Sequence, residues 1–205
     1  MQTTTLNIAI LPSDEAIGQA LEMSEKIAKE IGSRFILNFD SLIPHITVYQ
    51  AKYPSKNVDN LKSIARDLSF GQELFKITLD SISVSHETFL FWNCERTLIL
   101  QNLQKKAVEL ANPLREGLIP LRLAKVAGLS EGDKYDVKHF GALLIGPRYE
   151  PHITITVLNK KEDAQKAIKI LSSSKKLSFK PKGLILGYHG EHGTVLKIIE
   201  NFPFE

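Results

Sequence analysis

Apolar residues recur along the chain with a period near two in some stretches and near 3.6 in others, and the changes of period divide it into strands and helices. The run Leu6-Asn7-Ile8-Ala9-Ile10-Leu11 alternates in part and stops at Pro12, which predicts a strand. Ser13 is placed to cap a helix in which Ile17, Ala20, Leu21, Ile27, Ala28 and Ile31 share a face, and Gly32 closes it. A strand follows over residues 45–50. Ser55 is expected to cap a second helix carrying Val58, Leu61, Ile64, Ala65 and Leu68 on one face. Two strands, 74–84 and 88–93, flank the polar turn Ser85-His86-Glu87 and predict a hairpin. Thr97 opens a third helix with Leu103, Ala107, Leu110, Ala111 and Leu114 as its buried stripe, and Pro113 marks its end.

The segment 117–150 has a different character, with five of the twelve glycines. Strands are expected over 120–126 and 140–145, with a polar surface loop at 130–139 between them. A strand at 152–158 comes next. Asn159 and Glu162 form a capping pair for a fourth helix, whose inward residues are Ala164, Ala167, Ile168 and Leu171. A second hairpin, 177–188 with 194–199, ends the chain.

The order of elements repeats. Pro44-His45-Ile46-Thr47-Val48 returns 107 residues later as Pro151-His152-Ile153-Thr154-Ile155. Each copy is followed by a helix and then a hairpin. The chain therefore reads as an α+β protein of two pseudo-symmetric lobes. Each is a small, mostly antiparallel sheet with helices on its outer face, and a cleft lies between them. Residues 1–205 form a single bilobal domain, with a first motif lobe over about 1–96 and a second over about 97–205, and the repeat allows strands to be exchanged between lobes.

Alternate residues of a strand face the same way. His45 and Thr47 project together, as do His152 and Thr154, while Ile46, Val48, Ile153 and Ile155 point into the core. Two such faces meeting across a cleft would hold two imidazoles and two hydroxyls. That set suits a phosphodiester. A neutral imidazole takes a proton from the attacking oxygen and a protonated one gives a proton to the leaving oxygen. Histidine suits both roles because its unperturbed pKa is about 6.5. The hydroxyls donate to non-bridging oxygens, where charge grows in the transition state. No metal is required, and no cofactor is expected. The near symmetry leaves open which histidine is acid and which is base.

Tyr49, four residues beyond His45, is expected on the same face, where it could stack on a base. Tyr149 stands just before the second motif and is expected to line the cleft. Arg148 is the foremost candidate for a phosphate contact, ahead of Lys134 and Lys138. Trp92 is expected to pack in the core. His86, His189 and His192 are read as solvated turn residues, since an i, i+3 pair on a turn offers too few ligands for tetrahedral zinc.

Composition narrows the setting more than the chemistry. A chain 43% hydrophobic and 24% charged is globular rather than disordered. The net charge of +3 tolerates an anionic ligand without announcing a nucleic-acid-wrapping surface. The single cysteine, Cys94, suits a reduced, cytoplasmic setting. The apolar runs are too short to span a bilayer, and no signal peptide is visible at the start.

The two His-x-Thr motifs, each followed by an apolar residue, the strand ending in Leu11-Pro12 and the strand holding Trp92 together resemble the two-histidine (2H) phosphoesterase superfamily. That group includes 2′-5′ RNA ligase-like proteins and 2′,3′-cyclic nucleotide phosphodiesterases. The resemblance implies catalysis by His45 and His152 with Thr47 and Thr154 on the phosphate. It implies hydrolysis of a 2′,3′-cyclic phosphate or related 2′-linked phosphodiester, on a nucleotide or RNA 3′-end. The alternatives are RNA 2′-5′ ligation in the same site, or a non-catalytic RNA-end or nucleotide-binding module. A monomer without an obligate protein partner is expected.

Overall fold

Leu6, Ile8 and Ile10 of β1 (Thr3–Leu11) are each at most 1% exposed and pack with the main core, while Ala9 joins a small cluster with Ile43, Ile185 and Val195. Alternation thus gives the sheet a helix-covered face and an open one. These relations come from a computed structural model that describes residues 2–126, 128–172 and 176–204. The other strands are β2 (Ile46–Pro54), β3 (Ile77–Ser85), β4 (Phe89–Cys94), β5 (His152–Val157), β6 (Leu177–Phe179), β7 (Gly183–His189) and β8 (Val195–Pro203). They form one antiparallel sheet in the order β6-β3-β4-β5-β2-β1-β7-β8.

The mixed helix and antiparallel-sheet class agrees with the sequence reading. The two copies, however, do not each close a sheet of their own. The hairpin that follows β2, namely β3 and β4, pairs beside β5, and the hairpin that follows β5 lies in the half of the sheet that contains β2. The two half-sheets meet where β2 touches β5, in register at Ile46 and Ile153.

The helices are α1 (Asp14–Ile31), α2 (Val58–Phe70), α3 (Leu98–Ala111), α4 (Leu121–Ala124), α5 (Glu131–Phe140) and α6 (Ala164–Ile170). Ser13 caps α1 by accepting from Ala16 N at 3.2 Å, and Thr97 caps α3 by accepting from Leu100 N at 3.3 Å. Ala16, Ala20, Met23 and Ile27 of α1 are buried against the sheet. Full burial of a side chain such as Ile27 contributes about 1.5–3 kcal/mol. Trp92 is 1% exposed and packs in the core as expected. Among the described residues, no helix is long and apolar enough to cross a membrane.

Several expected elements differ. Ser55 caps nothing: a 3₁₀ turn, Ser55–Asn57, precedes α2. The Asn159/Glu162 pair also makes no cap, because another 3₁₀ turn, Lys161–Asp163, leads into α6. The expected strand 177–188 is two strands, β6 and β7, lying in opposite halves of the sheet. In the segment 117–150, neither expected strand forms. Residues 121–124 are the short helix α4, and 140–145 leave α5 in an irregular path. The expected loop at 130–139 is α5. Ser130 accepts from Asp133 N at 3.1 Å and donates to Asp133 Oδ2 at 2.7 Å, while Gly141 ends the helix with φ 63°. Ala127 of this segment lies outside the described residues.

Buried polar groups anchor that segment. Arg115, 4% exposed, donates to Asn112 Oδ1 and to the carbonyls of Leu118, Lys138 and His139. Gln104 donates to Leu144 O at 2.9 Å and accepts from Gly146 N at 3.0 Å. These bonds fix residues 140–146, of which 142–145 become one wall of a cleft.

Candidate active site

The cleft, of about 130 Å³, lies over the junction of the half-sheets and is lined by Thr47, His152 and Thr154 among others. Its geometry follows from strand register. Ile46 and Ile153 are antiparallel partners, and both are 0% exposed, facing the core. Carried one residue either way, this register sets His45 toward Thr154 and Thr47 toward His152 on the opposite face.

Each motif is followed by an irregularity. Ala9 pairs with Thr47 but Ile8 with Tyr49, so Val48 is the extra residue of a β-bulge. Phe91 pairs with Thr154 but Leu90 with Thr156, so Ile155 is extra in the second copy. The two bulges are 107 residues apart, the same offset as the histidines. A bulge bends its strand and resets which face later residues occupy.

That reset corrects the expectation for Tyr49. It follows the bulge and turns into the core, 1% exposed, with its hydroxyl 2.7 Å from Phe140 O and 3.0 Å from Asn112 Oδ1. No ring face remains for a base. Thr156, its counterpart, is likewise buried and donates to Phe35 O at 2.7 Å.

The two imidazoles are held in the same way. His45 Nδ1 donates to Ile43 O at 2.7 Å, and His152 Nδ1 donates to Glu150 O at 2.6 Å. In each case the acceptor is the carbonyl two residues earlier, which fixes the Nδ1–H tautomer of the neutral ring and leaves Nε2 as an acceptor. Burial pushes the pKa of His45 below the ordinary imidazole value. Burial also brings His152 down to about 4, with the nearby His45 a smaller cause in the same direction.

The surroundings are not symmetric. His45 is 7% exposed, and Asn7 of β1 lies over its Nε2 at 3.2 Å. His152 stacks on Phe91, with ring centroids 3.6 Å apart. Tyr149 lines the cleft but is 3% exposed, and its hydroxyl donates to Thr47 O at 3.0 Å, beside the first bulge. Arg148 departs from its expected place. Its guanidinium is ion-paired with Asp136 of α5, donates to Gly132 O at 2.6 Å, and does not line the cleft.

Sequence reasoning gives no site role to several other residues in or beside the cleft. Arg122 of α4 reaches over the open face and donates to His189 Nε2 at 3.1 Å. His189 is brought down to about 3 by burial first, then by Arg122 and His45. His192 and His86, expected as solvated turn residues, both line the cleft from the tips of their hairpins. His192 stacks on Phe35 and meets Phe89 edge-on, while His86 meets Phe89 edge-on from the other hairpin. Phe89 and Phe91 alternate with buried Leu90 and Trp92, a pattern visible in the sequence.

A model of the 2′-5′ RNA ligase superfamily matches residues 21–193. No curated protein matches the sequence. Among solved structures, TT0787 of Thermus thermophilus has 14% identity and a TM-score of 0.59, with 98% of this chain and 97% of that one covered. LigT of E. coli, solved with 3′-AMP, has 13% identity and a TM-score of 0.60 over 99% of both chains. A structure described as a phosphoesterase has 14% identity and a TM-score of 0.51 over 98% of both chains. At these identities the likeness is one of fold.

Proposed function

The chain belongs to the 2′-5′ RNA ligase superfamily, and on that premise we propose that it is a phosphodiesterase that opens 2′,3′-cyclic phosphates, or related 2′-linked phosphodiesters, of nucleotides or RNA 3′-ends without a metal. The observation that carries this reading is the meeting of the two motif strands at Ile46 and Ile153, with both histidines bonded through Nδ1 to the carbonyl two residues earlier.

In the proposed reaction a cyclic phosphate sits over this junction. One imidazole Nε2 removes a proton from water, whose oxygen forms a bond to phosphorus. The bond from phosphorus to one ribose oxygen breaks, and that oxygen takes a proton from the other imidazole. Thr47 and Thr154 donate to the non-bridging oxygens, and Arg122 offsets their charge. Phe89 and His192 supply ring faces for a base. The 3′-AMP held by LigT is a ligand of this class, a ribonucleotide with phosphate on a ribose oxygen. We read residues 1–205 as one bilobal unit acting as a monomer in a cytoplasmic setting.

The test is turnover of 2′,3′-cyclic AMP and of a short RNA ending in a cyclic phosphate, by protein treated with chelator. Ring-opened monoester is the expected product. Binding without turnover would support a non-catalytic module, and joined 2′-5′ products from RNA ends would support ligation. Loss of turnover on chelation would overturn the metal-free reading.

A further inference from the structure

Were α5 to continue past Phe140, the N–H groups of Ala142, Leu143 and Leu144 would bond to the carbonyls of Lys138, His139 and Phe140. Side chains take those carbonyls instead. Arg115 donates through Nη2 to Lys138 O at 3.3 Å and to His139 O at 2.7 Å, and the Tyr49 hydroxyl donates to Phe140 O at 2.7 Å. The chain turns away at Gly141, whose φ is 63°. The donors that follow are provided for: Ile145 N donates to Asp136 Oδ2 at 3.3 Å and Gly146 N to Gln104 Oε1 at 3.0 Å. Between them, the N–H groups of Ala142, Leu143 and Leu144 have no hydrogen-bond partner among the described residues.

Ala142 is 1% exposed, and Leu144 is held left-handed at φ 59°. Unpaired N–H groups in buried backbone are rare and costly. All three residues line the cleft, so an acceptor reaches them from there. The charge behind them is positive. A Cβ built on Gly141 would lie 2.9 Å from Arg115 Cδ and 3.2 Å from Arg115 Nη1. Arg115 is buried, and its acceptors among the described residues are neutral oxygens, Asn112 Oδ1 and the carbonyls of Leu118, Lys138 and His139. Asp136, which takes the N–H after Leu144, is ion-paired with Arg148. A run of free backbone N–H groups backed by a cation attracts anions.

These donors stand apart from the ring faces. Beyond Thr154, β5 runs toward Val157, the partner of Phe89. Beyond Thr47, β2 runs the other way, toward Tyr49 and Gln50. Tyr49 is bonded to Phe140 O and Gln104 to Leu144 O, which puts the free donors at this second end. The rings and the donors therefore flank the phosphorus position from opposite sides.

Building on the reaction assigned above, we propose that the backbone of Ala142, Leu143 and Leu144 binds a second phosphoryl group of the substrate, the one on the 5′ oxygen of the nucleotide that carries the cyclic phosphate. The N–H groups donate to its oxygens, and Arg115 supplies charge from behind without touching it. A nucleoside 2′,3′-cyclic phosphate has no such group, whereas the last nucleotide of an RNA has one. The site thus selects an RNA 3′-end over a free cyclic mononucleotide.

Two sets of ligands test this on the wild-type protein. Adenosine 3′,5′-bisphosphate differs from 3′-AMP by one 5′ phosphate. In ¹H–¹⁵N NMR titrations the bisphosphate is expected to bind about tenfold more tightly and to move the amide signals of Ala142, Leu143 and Leu144 downfield, while 3′-AMP moves those of the motif strands. In turnover, kcat/KM for 5′-phospho-2′,3′-cyclic AMP and for the dinucleotide ApA ending in a cyclic phosphate should each exceed that for 2′,3′-cyclic AMP about tenfold, the gain lying in KM. Equal turnover of the three esters would overturn the selection. A gain confined to the 5′-phosphomonoester would make the ligand a phosphorylated nucleotide and overturn the choice of RNA. Equal affinities of the two monophosphate-bearing probes, or a preference that leaves the three amides unmoved, would overturn the site. If no ester is turned over but the bisphosphate still moves these amides, the anion site stands and the phosphodiesterase reading falls.

Discussion

Ile46 and Ile153 are antiparallel partners at the seam between the two half-sheets, and each directly follows a motif histidine. Both side chains are 0% exposed on the helix-covered face. The pair therefore sets the relative height of His45 and His152 on the other face, using apolar packing beneath the site rather than any contact within it. Truncating Ile153 to Ala leaves a cavity at the seam and is expected to cost about 2–5 kcal/mol, read by chemical denaturation. Ile153→Leu, which keeps the volume, should recover most of that. A loss below about 1 kcal/mol for Ile153→Ala would mean that the seam can collapse around the cavity.

Arg122 is the cleft's cationic side chain among the described residues. Arg122→Ala should raise KM for a cyclic phosphate about tenfold with little change in kcat, because the charge attracts both ground state and transition state. Equal loss in kcat and kcat/KM would instead place the guanidinium on charge that develops only during reaction.

Arg148→Ala should leave KM unchanged and lower stability. Its partner Asp136 is 2% exposed and accepts from Ile145 N, so losing the arginine strands a buried carboxylate under a wall of the cleft. Thermal denaturation and steady-state kinetics together separate the two outcomes; a raised KM with unchanged stability would restore a phosphate contact.

The pH dependence of rate has a definite sign. Burial weakens proton binding by both histidines, His152 down to about 4. The reaction needs one ring neutral and one charged, so kcat/KM, which reports the free protein, should peak on the acid side of the ordinary imidazole value of about 6.5. A bound anionic phosphate favours the charged rings and should move the kcat profile to higher pH. Superimposable profiles would argue that substrate does not lie against the imidazoles.

Stability should change with pH in the same window. Unfolded histidines take up protons near pH 6.5, whereas folded His152 and His189 resist until about 4 and about 3. The unfolded chain then binds more protons over that range. The contribution is complete above about 6.5 and is lost as pH falls through the folded values. Denaturation midpoints between pH 7 and 4 check this, and His189→Gln should flatten the slope.

The repeat marks His45, Thr47, His152 and Thr154 twice and strand alternation puts them on one face of the sheet, which is where the register at Ile46 and Ile153 places them. Tyr49 was misplaced because alternation was carried through Val48, and a bulge has no sequence mark as clear as a turn glycine. Nearness in sequence puts Arg148 beside His152, whereas Asp136 captures it through α5, a helix whose polar composition is that of a surface loop. The signs of that helix, Ser130 with Asp133 at one end and Gly141 at the other, were present but outweighed by its polar composition. Asn7 was also visible as the polar residue between Leu6 and Ile8. What sequence order could not convey is that β1 would lie beside β2, bringing Asn7 over His45.

The most direct test of the account is a double-mutant cycle on turnover of a 2′,3′-cyclic phosphate. His45→Ala and His152→Ala should each lower kcat by about 10²–10⁴-fold, and the double variant should be little worse than the poorer single one, because two groups acting on one phosphorus fail together. Losses that multiply independently, or either single variant keeping full activity, would contradict a shared site at the seam.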